Sequence, residues 1–471
     1  MTGAFRAALT AIVLSSPVLP ISPAIAQECP FDVGTVRGGT FSFASAVNAS
    51  GQVVGTSGTS DGALRAYSWT QASGIQELAT LGGRSSGAGS VNPSGQIAGF
   101  SEDGQGVSHA VLWPQAGAMP QDLGTLPGGA GAGPINDNGQ VVISSAGGSH
   151  GAFLWTIGST PPGTPLHTLP GSSGFIQVKA LNASGQVIGQ TDTAAGLRHG
   201  FSWTEAGGIV DLLSIGRGCV FGQCVHSEAI AVNAGGQIVG ASNTDVGGIR
   251  HASSWTAAGG APIDLHTLSP SADTTTSSGA NAVNDNGQVV GSSGTGDFVN
   301  GTPVSHAFLW TQAGGMTDLG TLPGGAGSEA TAINANGWIV GKAGTIANGR
   351  PGTHAFLWTH ADGMLDLGTL PGGTNSEAMA VNTNGQILGE SDLPPTPAGL
   401  VQSHAVLWSS HCRVRFCGER CDRDDSTCQD SCIADFGSCP AETPHLDCVK
   451  ALKACLKSCS NQHAQCLASC R

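Results

Sequence analysis

"SHAVLWSSHC", residues 403–412, is the last of eight copies of one motif, and it is cut short. Its counterpart "THAFLWTHADGMLDLGTL", residues 353–370, continues past the Trp into Asp-Leu-Gly-Thr-Leu. The final copy stops at Trp408 and runs into Cys412 instead. The missing piece stands at the other end of the chain. Phe31-Asp32-Val33-Gly34-Thr35 is a stray copy of the Asp-Leu-Gly-Thr motif with no Trp motif before it.

Working outward, each Trp motif follows an Asn-x-x-Gly-Gln motif, with Trp338 in place of the Gln in the seventh copy. "VNASGQVVG" (47–55), "VNDNGQVVG" (283–291) and "VNTNGQILG" (381–389) are examples. The Asn falls at 48, 92, 136, 182, 233, 284, 334 and 382, a spacing of 44 to 51 residues. Each unit offers four short segments rich in β-branched, aromatic and Ala residues and bounded by Gly, Asn and Pro, which is a strand signature. The Asn-x-Asn-Gly links read as hairpin turns, because Asn and Gly tolerate positive φ. Four strands in about 48 residues matches a propeller blade. The fold class is all-β: an eight-bladed β-propeller of four-stranded blades. The chain starts with the outer strand of blade 8 and ends with its third strand.

In this order the Asn-motif strand is innermost, the "GQVVG" strand second, the His/Trp strand third and the "DLGTL" strand outermost. The Asn turns share the bottom face. The blade crossings and the loops between second and third strands share the top. Most of the length variation is on top, as in "SSGTGDFVNGTPVS" (292–305), "KAGTIANGRPGT" (342–353) and "ESDLPPTPAGLVQS" (390–403). Loops on a rigid scaffold are where binding concentrates.

The repeats resemble the HAF family of bacterial extracellular repeats, through "HAF" at 306–308 and 354–356 and the units spanning about 31–408. The resemblance implies an exported repeat protein and brings no established chemistry.

Residues 1–26 read as a signal peptide: Arg6, a mostly apolar run over 7–19, then Ala24-Ile25-Ala26. Residues 27–412 are the propeller and 413–471 a Cys-rich helical hairpin. Localisation is expected to be extracellular or periplasmic. The net charge of −14 and only five Lys argue against nucleic acid and anionic membranes, and no stretch is long and apolar enough to span a bilayer.

Fourteen Cys in an exported chain read as seven disulfides. Cys417, Cys421, Cys428 and Cys432 are spaced 4, 7, 4, and so are Cys455, Cys459, Cys466 and Cys470. The pairs Cys417–Cys470, Cys421–Cys466, Cys428–Cys459, Cys432–Cys455 and Cys439–Cys448 each sum to 887, the arithmetic of an antiparallel αα-hairpin. Cys219–Cys224 closes a small top insertion. Cys29–Cys412 would lock the ring where the two ends meet.

The recurring His residues (109, 150, 199, 251, 306, 354 and 404) read as scaffold, hydrogen-bonded to Asp residues such as Asp318 and Asp366. Equivalent positions in neighbouring blades lie over ~10 Å apart, too far to share an ion. No metal or cofactor is expected. The "SEA" repeats place Glu228, Glu329 and Glu377 at the top mouth of the channel. With Asp245, Asp273, Asp297, Glu390 and Asp392 in the top loops they make this face acidic, and Glu228, Glu329, Glu377, Asp245, Asp297 and Asp392 are the candidate binding residues. No nucleophile elbow, phosphate loop or His-Glu-x-x-His occurs. The leading expectation is a non-enzymatic binding module for an unidentified protein or glycan. The alternatives are a polysaccharide-active hydrolase or lyase acting at the top centre, favoured by a close pair of channel-mouth carboxylates, and a purely structural envelope protein.

Overall fold

The alternation of small and β-branched residues between Gly/Asn turns builds strands buried on both faces. The computed structural model describes residues 30–145, 151–216, 219–220, 223–224, 226–244, 249–269, 276–347, 350–396 and 399–409. Every regular element among them is a strand. The strands form eight four-stranded antiparallel sheets and one two-stranded ribbon. The protein is an eight-bladed β-propeller.

Blade 7 has the plan common to all. Its strands run Ser328–Ile333, Ile339–Ala347, Arg350–Thr359 and Gly363–Asp366, from inside to outside. Each third strand buries one face against the blade before it and the other against the blade after it. In blade 6, Phe308 and Trp310 pack with Val239, Ala252 and Val289 on one side. Ala307 and Leu309 pack with Ala330, Ile339 and Phe356 on the other. Trp indoles fasten the same interfaces: Trp408 Nε1 donates to Leu367 O of blade 7 at 2.8 Å.

Blade 8 is assembled from both ends of the chain. Its strands are Ser376–Val381, Ile387–Asp392 and Ser403–Trp408, with Phe31–Asp32 outermost. Phe31 lies opposite Leu407 and Asp32 opposite Val406. Val33 N donates to Ala405 O at 3.0 Å. Val33, Val36, Tyr67 and Trp69 then share a core with Leu388 and Leu407, so blade 1 seals against blade 8.

The Asn motif does more than turn the chain. In blade 1 the Asn48 side-chain oxygen accepts from the amides of Ser50 and Gln52. Its Nδ2 donates to the carbonyl of Asn92 in the next blade at 3.0 Å. The same contact recurs from Asn92 to Asn136, Asn136 to Asn182, Asn182 to Asn233, Asn233 to Asn284, Asn284 to Asn334 and Asn334 to Asn382.

The last Gly of "GQVVG" has its own reason. The inner strand bulges between Ala330 and Ala332, and Gly341 pairs with Ala330 beside that bulge. A Cβ on Gly341 would overlap the Glu329 carbonyl. Blade 3 has Ile143 at this position, and there the bulge spans Ala132 to Ile135.

Two expectations are corrected. The 292–305 and 342–353 segments are not free loops. They prolong the second and third strands of blades 6 and 7 into projecting ribbons, with Phe298 opposite Pro303 and Thr345 opposite Gly352. Residues 390–392, placed in a top loop, complete the strand Ile387–Asp392. The Cys219–Cys224 insertion is a two-stranded ribbon that sets the two residues directly opposite. The signal peptide, Cys29, Cys412 and the Cys-rich tail lie outside the described residues.

Candidate functional site

The recurring His is a scaffold residue. Among the described residues it lies in the upper part of the third strand, and its Nδ1 donates to the Asp of the outer strand. The distance is 2.8 Å for His199–Asp211 and 2.9–3.0 Å for His109–Asp122, His354–Asp366 and His404–Asp32. The pair His404–Asp32 is formed between opposite ends of the chain. In blade 1 both partners change together: Arg65 replaces His and Glu77 replaces Asp, with Nε to Oε1 at 3.1 Å.

The top of the channel wall between blades 7 and 8 is different in character. It holds an open cavity of about 940 Å³, lined by Glu329, Lys342, Glu377, Glu390 and Ser403 among others. Strand register places the charges. Glu329 lies opposite Lys342 within blade 7, and Glu377 opposite Glu390 within blade 8. Lys342 Nζ reaches across the blade boundary to both Glu377 oxygens at 3.2 Å and to Glu329 at 3.7 Å. One ammonium thus serves two carboxylates. For Glu390 the contact is with Ser403, whose hydroxyl stands 3.5 Å away. Burial and the neighbouring Glu377 charge push the Glu390 carboxyl up to about 7. A carboxyl raised in this way holds its proton to higher pH than an ordinary Glu, and in that form it can both donate and accept a hydrogen bond.

Of the expected site residues, Glu329 and Glu377 meet at this cavity. Asp392 lines it too, but its oxygens are committed to the blade crossing. They accept from the amides of Thr374 and Asn375 at 2.7 and 2.8 Å and from both side chains at 3.0 Å. Asp392 therefore holds the loop at the edge of the cavity. Glu228 sits at another interface, clasped between Lys179 of blade 4 at 3.3 Å and Arg250 at 3.1 Å. Burial raises its carboxyl, but these two cations outweigh that and leave it below the usual range. Asp297 is exposed on the blade 6 ribbon, and Asp245 and Asp273 lie outside the described residues.

Lys342 is absent from the residues expected at the top face, and Glu390 stands there only as one of its loop acids, yet the repeat marks both. The residue after the "GQVVG" glycine is Thr56, Phe100, Gln190, Ala241 or Ser292 in other blades, and Ser144 follows Ile143 in blade 3. It is charged only in blades 7 and 8. Elsewhere among the described residues, His251, Asp264 and His266 bring potential metal-ligating atoms within 4.8 Å of one another.

None of the curated protein sequences matches the chain. Among solved structures, the chain is similar to a prolyl endopeptidase at 13% identity, covering 78% of this chain and 61% of that one, with a TM-score of 0.46. It is similar to Porphyromonas gingivalis dipeptidyl peptidase 4 at 8% identity, covering 76% and 58%, with a TM-score of 0.49. For an Aleuria aurantia lectin the values are 12%, 59% and 96%, with a TM-score of 0.30. The chain thus spans about 61% of the length of the prolyl endopeptidase it matches, and at such identities these likenesses concern the fold alone. A family model described as a protein of unknown function, DUF3466, matches residues 222–370, which is under half of the chain.

Proposed function

We propose that the protein is an exported, non-enzymatic binding module whose ligand enters the top-face cavity between blades 7 and 8. The observation that carries this reading is the cavity itself. It is large enough for a small ligand or one or two sugar units, and it brings together Glu329 and Glu377, bridged by Lys342, with Glu390 beside them. The raised Glu390 carboxyl beside Glu377 suits a ligand rich in hydroxyl or amino groups, such as a glycan or a basic segment of a protein. The projecting ribbons of blades 6 and 7 would flank it. The HAF-type repeats and the signal-peptide-like leader support an extracellular or periplasmic location. In that compartment the Cys29–Cys412 bridge and the stapled αα-hairpin of the tail would form.

A second reading is favoured by one observation. Glu377 and Glu390 are opposed carboxyls, one of them raised toward neutrality. That is an arrangement a polysaccharide-active hydrolase or lyase would use, with Glu390 as proton donor and Glu377 as base or nucleophile. A purely structural envelope role would leave the cavity without a ligand. One experiment separates the three: the purified protein is presented with a polysaccharide panel beside its Glu390→Gln variant. Retention without turnover, weakened in the variant, supports the binding module. Turnover supports the enzyme, and no retention at all supports the structural role.

A further inference from the structure

The outer-strand motif ends in Asp-Leu-Gly, and its Gly takes a left-handed conformation. The φ values are +81° at Gly34, +99° at Gly124, +73° at Gly320 and +68° at Gly368. Blade 5 keeps that conformation but places His266 there, at φ +64°. A residue with a Cβ is disfavoured in this region, where the side chain crowds the backbone carbonyl. The substitution therefore runs against the local backbone, and what it brings is a second imidazole. His251 Nδ1 stands 3.0 Å from both Asp264 oxygens, much as in the scaffold pairs His306–Asp318 and His354–Asp366. His266 Nδ1 stands 3.5 Å from Oδ2 of the same carboxylate. The amide of His266 donates to Oδ1 at 2.8 Å, which fixes the carboxylate and leaves Oδ2 facing both rings.

We propose that His251, Asp264 and His266 form a three-ligand site on the top edge of blade 5 for a divalent transition-metal ion of the zinc type. Two imidazoles and one carboxylate are the donor set such ions take. Ligand atoms about 2.0–2.2 Å from a tetrahedral ion stand roughly 3.3–3.5 Å apart. The separations of 3.0 and 3.5 Å from the Asp264 oxygens bracket that edge, and the three donor atoms all lie within 4.8 Å of one another, so binding draws the two rings together. His251 binds through Nδ1 as its Nε2–H tautomer. His266 has 77% of its side chain exposed, which leaves the fourth position open to water or to a group from outside. The repeat supplies its own controls. Blades 6 and 7 have the His–Asp pair with Gly320 and Gly368 beside it. Blade 3 has His167 at the His266 position, but Pro165 stands where the Asp would be. Only blade 5 has all three donors.

The test is zinc titration of the chelator-stripped full chain by calorimetry, beside His266→Gly and Gly320→His. His266→Gly restores the residue other blades use, so its fold is not at risk. Zinc bound elsewhere, including by thiols of the tail, is common to the proteins and cancels in the difference. The expected result is one fewer ion bound by His266→Gly, or that ion bound at least tenfold more weakly. Zinc should raise the melting temperature of the parent and not of this variant. Gly320→His, which sets a third donor beside His306 and Asp318, should gain one ion. Equal stoichiometry and affinity in the parent and His266→Gly would overturn the assignment.

Discussion

Asn382 Nδ2 donates to the carbonyl of Asn48 at 3.0 Å, joining residues 334 positions apart and closing the ring of eight Asn side chains beneath the channel. Each Asn in that ring also ties its own turn, since Asn382 Oδ1 accepts from the amides of Asn384 and Gln386. Asn382→Ala therefore leaves a buried carbonyl and two amides without partners. Chemical denaturation should report a loss of about 2–4 kcal/mol. Asn382→Asp keeps the acceptor but loses both donations of Nδ2, to Asn48 O and to Gln386 Oε1, and sets a charge against those oxygens, so it should also destabilise the protein.

Gly341 has no room for a methyl group, because the bulged inner strand puts the Glu329 carbonyl where Cβ would be. Gly341→Ala should destabilise the protein by about 1–3 kcal/mol. The same substitution at Gly368, which has nothing nearby but a left-handed φ of +68°, should cost about 1–2 kcal/mol. Thermal melts of the two variants check the order.

Arg65 and Glu77 are the blade 1 version of the His–Asp pair. Arg65→His alone leaves Glu77 with a shorter, weaker partner, and Glu77→Asp alone leaves the guanidinium short of its carboxylate. The double variant rebuilds the pair used by blades 6 and 7. A double-mutant cycle should show a favourable coupling of about 1 kcal/mol between the two changes. Additive single effects would reject the equivalence.

Glu390 makes stability depend on pH. Its folded-state carboxyl is raised by burial, then by Glu377, to about 7, from an ordinary 4.5. Lys342 is spent on Glu377 and Glu329. On the blade 1 side Glu390 faces Tyr67, whose phenol is pushed up by burial and by this same carboxyl. Below pH 4.5 the group is protonated folded or unfolded and costs nothing. As pH rises through 7 the folded state must ionise it, and stability falls. Glu390→Gln should match the parent near pH 4 and exceed it near pH 8. Discounted for partial exposure, the gain is about 1–2 kcal/mol.

Most of the fold is legible in the repeat itself. The Asn-x-x-Gly-Gln and His/Trp motifs fix strand order, and the stray Phe31–Thr35 motif fixes the closure. The His306–Asp318 and His354–Asp366 pairs follow from adjacent strands. Asn48 and its counterparts are legible as turn residues, but not as a ring, because their second contact crosses to the next blade. The ribbons of blades 6 and 7 hide behind Gly- and Thr-rich sequences that look like loops. At the site, Glu329 and Glu377 stand out through "SEA", whereas Lys342 and Glu390 need the register that sets them opposite those residues. Asp392 reads as a surface acid because only the three-dimensional path of the crossing shows the four donors around it. His266 is concealed by its place in a motif where the Gly is the expected residue.

The central claim is that the two ends of the chain complete one blade, and the amide of Val33 tests it most directly. It donates to Ala405 O at 3.0 Å, 372 residues along the chain. Native-state hydrogen exchange on the full protein, read at this amide, is the measurement. The account predicts protection comparable to the core strands of blade 8, with exchange slowed at least about 10³-fold relative to an unstructured peptide. Exchange of Val33 at the rate of a free segment, with Ala405 and Val406 still protected, would contradict it.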